Sequence, residues 1–294
     1  MEILNEIKAS FKRGTYLTQL IYINLAVFVA VNLIAVFFFL IGQSAYHLPL
    51  LKWFSLSADP SQFIWKPWTI ITYMFLHEGF LHLLFNMLWL YWFGEIFLRY
   101  LDQKQLLSIY LLGGISGGLF YILTYNLFPI FENTVPYSFA LGASASVMAI
   151  VFAISFYVPN YEITLFLIGK IKLKFIALFS IVLDLISIPN GNAGGHIAHI
   201  GGALFGLWFI MEYKKGQLIT KKFDAFLNSF FSLFQHKKMT VSYKKTGNVD
   251  YDYNNKKASN QAKMNEILEK ISKSGYSSLS KEEKELLFKM SNKK

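Results

Sequence analysis

The sequence contains no cysteine. That excludes a disulfide framework, a thiolate nucleophile and any zinc or iron–sulfur centre held by sulfur. Charge is also scarce: only 16% of the 294 residues are Asp, Glu, Lys or Arg, whereas 54% are apolar and 18% aromatic. A globular domain carries about 25% charge, so this chain is too poor in it to cover a water-facing surface, which argues against a fully soluble fold. No phosphate-cradling glycine loop and no dinucleotide fingerprint occurs, so no nucleotide or other cofactor is implied. The net charge of +10 is confined to one end. Residues 1–213 hold 10 basic and 10 acidic side chains, and residues 214–294 hold 18 lysines against 8 acids. A basic tail that starts directly after the last apolar segment reads as one drawn to a membrane surface and not to nucleic acid.

What is abundant is long apolar runs. Six lie near the 17–25 residues that cross a bilayer: about 20–42, 76–94, 105–127, 139–157, 173–189 and 196–212. The first follows Lys8, Lys12 and Arg13 and has no small-residue cleavage pattern, so it reads as a retained span and not a signal peptide. Lys and Arg in the short loops number eight on the side of the N-terminal arm (residues 1–19) and two on the other, which predicts both termini in the cytoplasm. With the composition, this predicts an all-α polytopic protein of a bacterial inner membrane. The loop 43–75 is rich in Trp and Phe and reads as a segment embedded in the outer interface. Past the spans, 214–238 contains an amphipathic pattern (Phe223, Phe226, Leu227, Phe230, Phe234) suited to the inner membrane surface. Residues 239–261 read as a polar linker, and 262–294 as a small helical tail with a capping box at Ser280–Glu283.

Ionisable and polar groups inside spans are expensive and mark function. Those found are His77, His82 and Asn86 on the second span, Ser144 and Ser146 on the fourth, Asp184 on the fifth, and His196 and His199 on the sixth. His77 and His82 are five residues apart, about 140° around a helix, and so cannot chelate one zinc as an H-E-x-x-H pair would. Spans two, four and six all enter from the outer side. Ser144 and His199 then each lie about one turn, roughly 6 Å, below their helix starts, with His82 and Asn86 at similar depth. A nucleophile, a base and oxyanion donors are the three parts that acyl transfer requires. Glycines at 113, 114, 117 and 118, and again at 202 and 206, suit close helix packing.

The patterns H-x-x-x-x-H-x-x-x-N (His77, His82, Asn86), G-x-S (Gly142, Ser144) and A-H-x-G-G-x-x-x-G (Ala198, His199, Gly202, Gly206), in this order over about 65–212, resemble the rhomboid family of intramembrane serine proteases. The resemblance implies a six-helix bundle with a membrane-embedded first loop, and a Ser144–His199 dyad without an acidic third member. It further implies that His82 and Asn86 serve the oxyanion, that 187–195 is a mobile cap, and that substrates are transmembrane proteins within the lipid bilayer. No metal is implied. Three positions depart from the family pattern: Ala145 stands for a glycine, Met148 for an aromatic, and Thr69 for an arginine. Ser146 is the rival nucleophile, about 200° around the helix from Ser144. Asp184 is read as structural, although it could complete a triad, and His196 as lying at the mouth of the site. The alternatives to a protease are a catalytically inactive rhomboid-like protein that binds membrane clients and, more remotely, a transporter.

Overall fold

The computed structural model describes residues 2–43, 47–165, 169–232 and 249–291. The chain divides into two compact units, Met1–Phe234 and Gln235–Lys294. The first is a helical bundle. An amphipathic α1 (Glu2–Arg13) leads into α2 (Tyr16–Leu40), whose start is capped by the Thr15 side chain on the Thr18 N–H. Next come α3 (His47–Phe54), a two-residue strand β1 (Leu56–Ser57), and the short helices α4 (Pro60–Trp65) and α5 (Thr69–Thr72). The bundle continues with α6 (Phe80–Leu98), α7 (Gln103–Leu127), β2 (Phe139–Ala140) and α8 (Ser144–Tyr157). A hairpin of β3 (Glu162–Leu165) and β4 (Gly169–Lys172) precedes α9 (Leu173–Ser187), α10 (Ala193–Lys214) and α11 (Lys221–Ser232).

Five of these helices are long and apolar enough to cross a membrane: α2, α6, α7, α9 with its terminal turn, and α10. The bundle is all-α and polytopic, but the expected span at 139–157 is corrected. Only 144–157 is helical, 14 residues or about 21 Å, less than the roughly 30 Å of a hydrocarbon core. The preceding residues run extended, because β2 pairs antiparallel with β1 (Leu56 opposite Ala140, Ser57 opposite Phe139). Hydropathy adds strand and helix residues alike and cannot see where an apolar run changes conformation. For a similar reason the second span begins at Phe80 and not at 76: Gly79, with extended backbone, is the entry residue.

α8 is the centre of the bundle, with α7 and α10 pressed against it through residues that lack side-chain bulk. A Cβ added at Gly202 would stand 2.0 Å from the Ala145 carbonyl oxygen, and one at Gly206 would stand 2.1 Å from that of Ala149. From the other side, a Cβ at Gly113 would meet Ala149 Cβ at 2.2 Å, and one at Gly117 would meet Ala145 Cβ at 2.6 Å. The glycines of α7 and α10 are thus the space into which α8 fits, as small-residue helix packing requires. The same contact explains Ala145: its methyl group sits over Gly117, which has none. Around this centre, α2 and α9 present exposed apolar side chains such as Val29, Phe37, Phe179 and Ile186, the surface expected where lipid is the solvent.

The first loop forms a folded platform. Trp53 and Trp68 stack at 6.0 Å, Trp68 Nε1 donates to the Trp53 carbonyl at 3.0 Å, and Lys66 lies 4.6 Å over the Trp53 ring. Both tryptophans remain exposed, as aromatic residues at a membrane interface do. Asp59 caps α4, and hydrogen bonds from Ser61 hold its carboxyl below the usual range.

On the other side, α11 docks on α7 through Asp224, which accepts from Ser108 and, at 3.0 Å, from Thr220. Phe226 stays exposed on it; Phe234 of the expected apolar stripe lies outside the described residues. In the second unit, α12 (Val249–Ser274) and α13 (Lys281–Ser291) are joined by a Lys270–Glu283 ion pair at 2.9 Å. Ser280 and Glu283 form the expected reciprocal cap. The linker reading of 239–261 is corrected in part. Residues 239–248 lie outside the described residues, but 249–261 are helical and open α12. Polar composition is compatible with a helix as well as with a coil.

Candidate active site

Ser144 is the first residue of α8, and that position follows from the local sequence. Gly142 has φ +131°, a conformation that L side chains rarely adopt, and its N–H donates to the Tyr73 carbonyl at 2.9 Å. The turn thus ties the start of α8 to the first loop. A Cβ at Gly142 would lie 2.9 Å from His82 Cε1 and 3.0 Å from His82 Nε2. Only glycine at this position lets the imidazole lie against the turn. Ala143, the N-cap, offers no side-chain acceptor. The first N–H groups of α8 therefore have no side-chain cap, at the positive end of the helix dipole.

Ser144, His82, Asn86 and His199 all border one cavity of about 520 Å³, together with Met148, Asp184 and His196. Ser144 and His82 also line an adjoining cavity of about 470 Å³ with Glu78 and Gly142. The four residues expected from the sequence therefore come together. Equal depth on their helices is not the reason: Ser144 is at the very start of a short helix, whereas His199 is the seventh residue of α10. Ser146 is not part of the site. It is fully buried, and a Cβ at Gly114 on α7 would meet its Oγ at 2.4 Å. Asn86 donates its side-chain amide to the His82 carbonyl at 2.8 Å, which occupies one of its two donors.

The carboxylate was the residue underestimated by sequence reasoning. Asp184 Oδ1 accepts from His199 Nδ1 at 2.8 Å and from His196 Nδ1 at 2.8 Å. His199 thus has an acidic partner, contrary to the expectation of a dyad alone, and His196, which borders the same cavity, shares that partner. The signal was present, since Asp184 is the sole acid well within a span; what was missing was the rotation of α9 that aims it at α10. His199 makes its hydrogen bond to Asp184 and not to Ser144, and contacts between nucleophile and base often close only on a bound substrate.

His77 precedes α6, so the helical angle between it and His82 does not apply. Their rings meet edge to face at 5.2 Å. His77 is buried and its ring nitrogens have no partner among the described residues. Chemically, the cavity offers a hydroxyl, an imidazole whose Nδ1 is held by a carboxylate, and uncapped backbone donors, which are parts that acyl transfer uses.

A family model described as the rhomboid domain matches residues 65–215, just over half of the chain and all of this site. The chain belongs to the rhomboid family. Among curated rhomboid relatives, it is 32% identical over 139 residues to presenilin-associated rhomboid-like protein A, mitochondrial, of Danio rerio, covering 46% of this chain and 35% of that protein. It is 28% identical over 158 residues to RHOMBOID-like protein 12, mitochondrial, of Arabidopsis thaliana, covering 51% and 47%. A third rhomboid, rhomboid-like protein 17, chloroplastic, of Arabidopsis thaliana, is 27% identical over 149 residues, covering 47% and 46%. The chain thus spans between a third and a half of the length of these relatives. Their names overturn the expectation of a bacterial inner membrane with cytoplasmic termini, because they point to organellar membranes. Composition and loop charge report a bilayer and a sidedness but cannot distinguish membranes built on the same charge rule. Residues 247–293 match a second model, a family of unknown function (DUF6576).

Proposed function

We propose that this rhomboid is an intramembrane serine endopeptidase that hydrolyses peptide bonds in or near transmembrane helices of protein substrates. The observation that carries the reading is the shared cavity: Ser144 at the uncapped start of α8 faces it beside His82, Asn86 and His199. In this mechanism His199 Nε2 takes the Ser144 proton as Oγ attacks the scissile carbonyl carbon. Asp184 on Nδ1 keeps the proton there, so that Nε2 is the free acceptor. The oxyanion forms against the N–H groups at the start of α8, with His82 and the remaining Asn86 donor beside them. Collapse of the tetrahedral intermediate breaks the C–N bond, and His199 passes its proton to the leaving amine. Water, entering through the same cavity, then hydrolyses the acyl-enzyme.

A substrate helix has its carbonyls tied in i→i−4 bonds, so helix-weakening residues at the cleavage point lower the barrier to attack. Labelling of the purified protein by a fluorophosphonate tests the reading. Labelling is expected to vanish in Ser144→Ala and His199→Ala and to persist in Ser146→Ala. Folded wild type that neither labels nor cleaves a transmembrane substrate would favour the alternative, an inactive rhomboid-like protein that binds membrane clients.

A further inference from the structure

We propose that Asp184, His196 and His199 form a zinc site that switches the proposed protease off. One ligand atom from each of the three residues lies within 4.8 Å of the other two, and both imidazole Nδ1 atoms stand 2.8 Å from Asp184 Oδ1. His196 and His199 are three residues apart on α10, so both imidazoles leave one face of that helix and converge on Asp184 across from it, on α9. Two imidazoles and a carboxylate are the three protein ligands of open zinc sites, which leave a fourth position for water or substrate. Here all three residues border the cavity of about 520 Å³, which has room for that fourth ligand and provides the entry path. Imidazole nitrogen selects zinc and its neighbours over magnesium and calcium, which prefer all-oxygen sets.

Electrostatics points the same way. Asp184 is a mostly buried carboxylate within a span, and its ion-pair partners among the described residues are these two histidines, with no Lys or Arg. With neutral imidazoles its charge is uncompensated in an apolar setting, which is costly; a divalent cation supplies the missing charge. Metal–ligand bonds of about 2.0–2.1 Å in a tetrahedron place ligand atoms about 3.4 Å apart. The present 2.8 Å separations then need to open by about 0.6 Å, within the reach of side-chain torsions.

The consequence for the dyad follows from the tautomer, and it rests on the protease reading. With Asp184 accepting from Nδ1–H, His199 Nε2 carries a lone pair and can take the serine proton. Zinc on Nδ1 needs a lone pair on Nδ1 instead, so the Nδ1 proton moves to Nε2, whose lone pair takes it up, and the general base is lost. No net proton leaves the imidazole in this exchange.

The test uses the full chain, purified in detergent and stripped with a chelator. Zinc titration by calorimetry, with cobalt absorption as a second probe, is expected to give one saturable site per chain with four-coordinate spectra. His196→Ala, His196→Gln and Asp184→Asn, each checked for wild-type helicity, are expected to weaken it beyond the roughly 10–100-fold that loss of an outer-shell partner brings. His47→Ala and His236→Ala are expected to leave it unchanged. No saturable binding, or binding that survives in folded His196 and Asp184 variants, overturns the site. In parallel, hydrolysis of a transmembrane substrate is expected in chelator, and is expected to fall by half with zinc at the binding midpoint and to cease at saturation. Unchanged hydrolysis at saturating zinc overturns the switch. An unlabelled, inactive protein in chelator overturns the protease reading and the switch with it, while the binding comparison still decides the metal site.

Discussion

Helices α2 and α8 are opposites. α2 has 25 residues and is the most apolar of the candidate spans, yet buries only Leu17, Leu20 and Asn24. α8 has 14 residues, too few to cross a bilayer, and buries 11 of them. The helix most legible as a span meets lipid along most of its length and holds none of the candidate chemistry. The helix least legible as a span is enclosed by its neighbours and begins at the candidate nucleophile. Its late start matters, because a helix that begins at Ser144 places its uncapped N–H end and first side chain beside a cavity within the bundle.

Substitutions on the two helices sharpen that contrast. Ser144→Ala is expected to reduce hydrolysis of a transmembrane substrate by more than about 10³-fold without lowering the unfolding temperature. Ser146→Ala, two residues away, is expected to retain activity and to keep or raise stability, because it removes a buried hydroxyl that has no hydrogen-bond partner among the described residues. Comparable activity loss in both would mean that α8 is rotated from its described orientation.

Packing comes next in size. Gly202→Ala puts a methyl group 2.0 Å from the Ala145 carbonyl oxygen, a backbone atom that cannot step aside. Overpacking of this kind is expected to cost on the order of 3 kcal/mol, read as a drop in the thermal midpoint in detergent. Phe37→Ala on the exposed side of α2, 59% accessible, is expected to cost less than about 0.5 kcal/mol in the same assay. Equal effects at the two positions would break the comparison.

Asp184→Asn tests how far the carboxylate orients His199. A loss in kcat of about 10²-fold with little change in KM is expected, because the amide can no longer hold the proton on Nδ1 as a charged acceptor does. An unchanged kcat would return Asp184 to a purely structural role.

The smallest effect lies in the second unit. Lys270 and the Ser280 N–H hold the Glu283 carboxyl below its ordinary range. A depressed folded value means that the contribution is present above the unfolded carboxylate range and is lost as the pH falls through the folded value. Amide exchange in α13 is therefore expected to be slightly faster in Glu283→Gln than in wild type at pH 7. The two should converge in acid, where wild type loses the same charge.

Much of this was legible beforehand for identifiable reasons. Apolar runs revealed most of the helices that can cross a membrane, since nothing but a helix satisfies its own backbone in lipid. The spacing of His82 and Asn86, of Gly142 and Ser144, and of His199, Gly202 and Gly206 located the residues that border the cavity. The β1–β2 pairing that delays α8 until Ser144 was not legible, because the partners are some eighty residues apart. Nor was the helical character of 249–261, where polar composition fits a solvated helix as well as a coil.

By itself, then, the sequence determined that the chain enters a bilayer, which residues are too polar to lie there without purpose, and which helices lack the bulk to stay apart. Those are matters of transfer energy and side-chain volume, local to each residue. Only the tertiary structure decided that Ser146 faces α7 and not the cavity, that α8 starts at its serine, and that one aspartate serves two histidines. These depend on the rotation and depth of each helix, which close contacts between distant glycines and backbone carbonyls set.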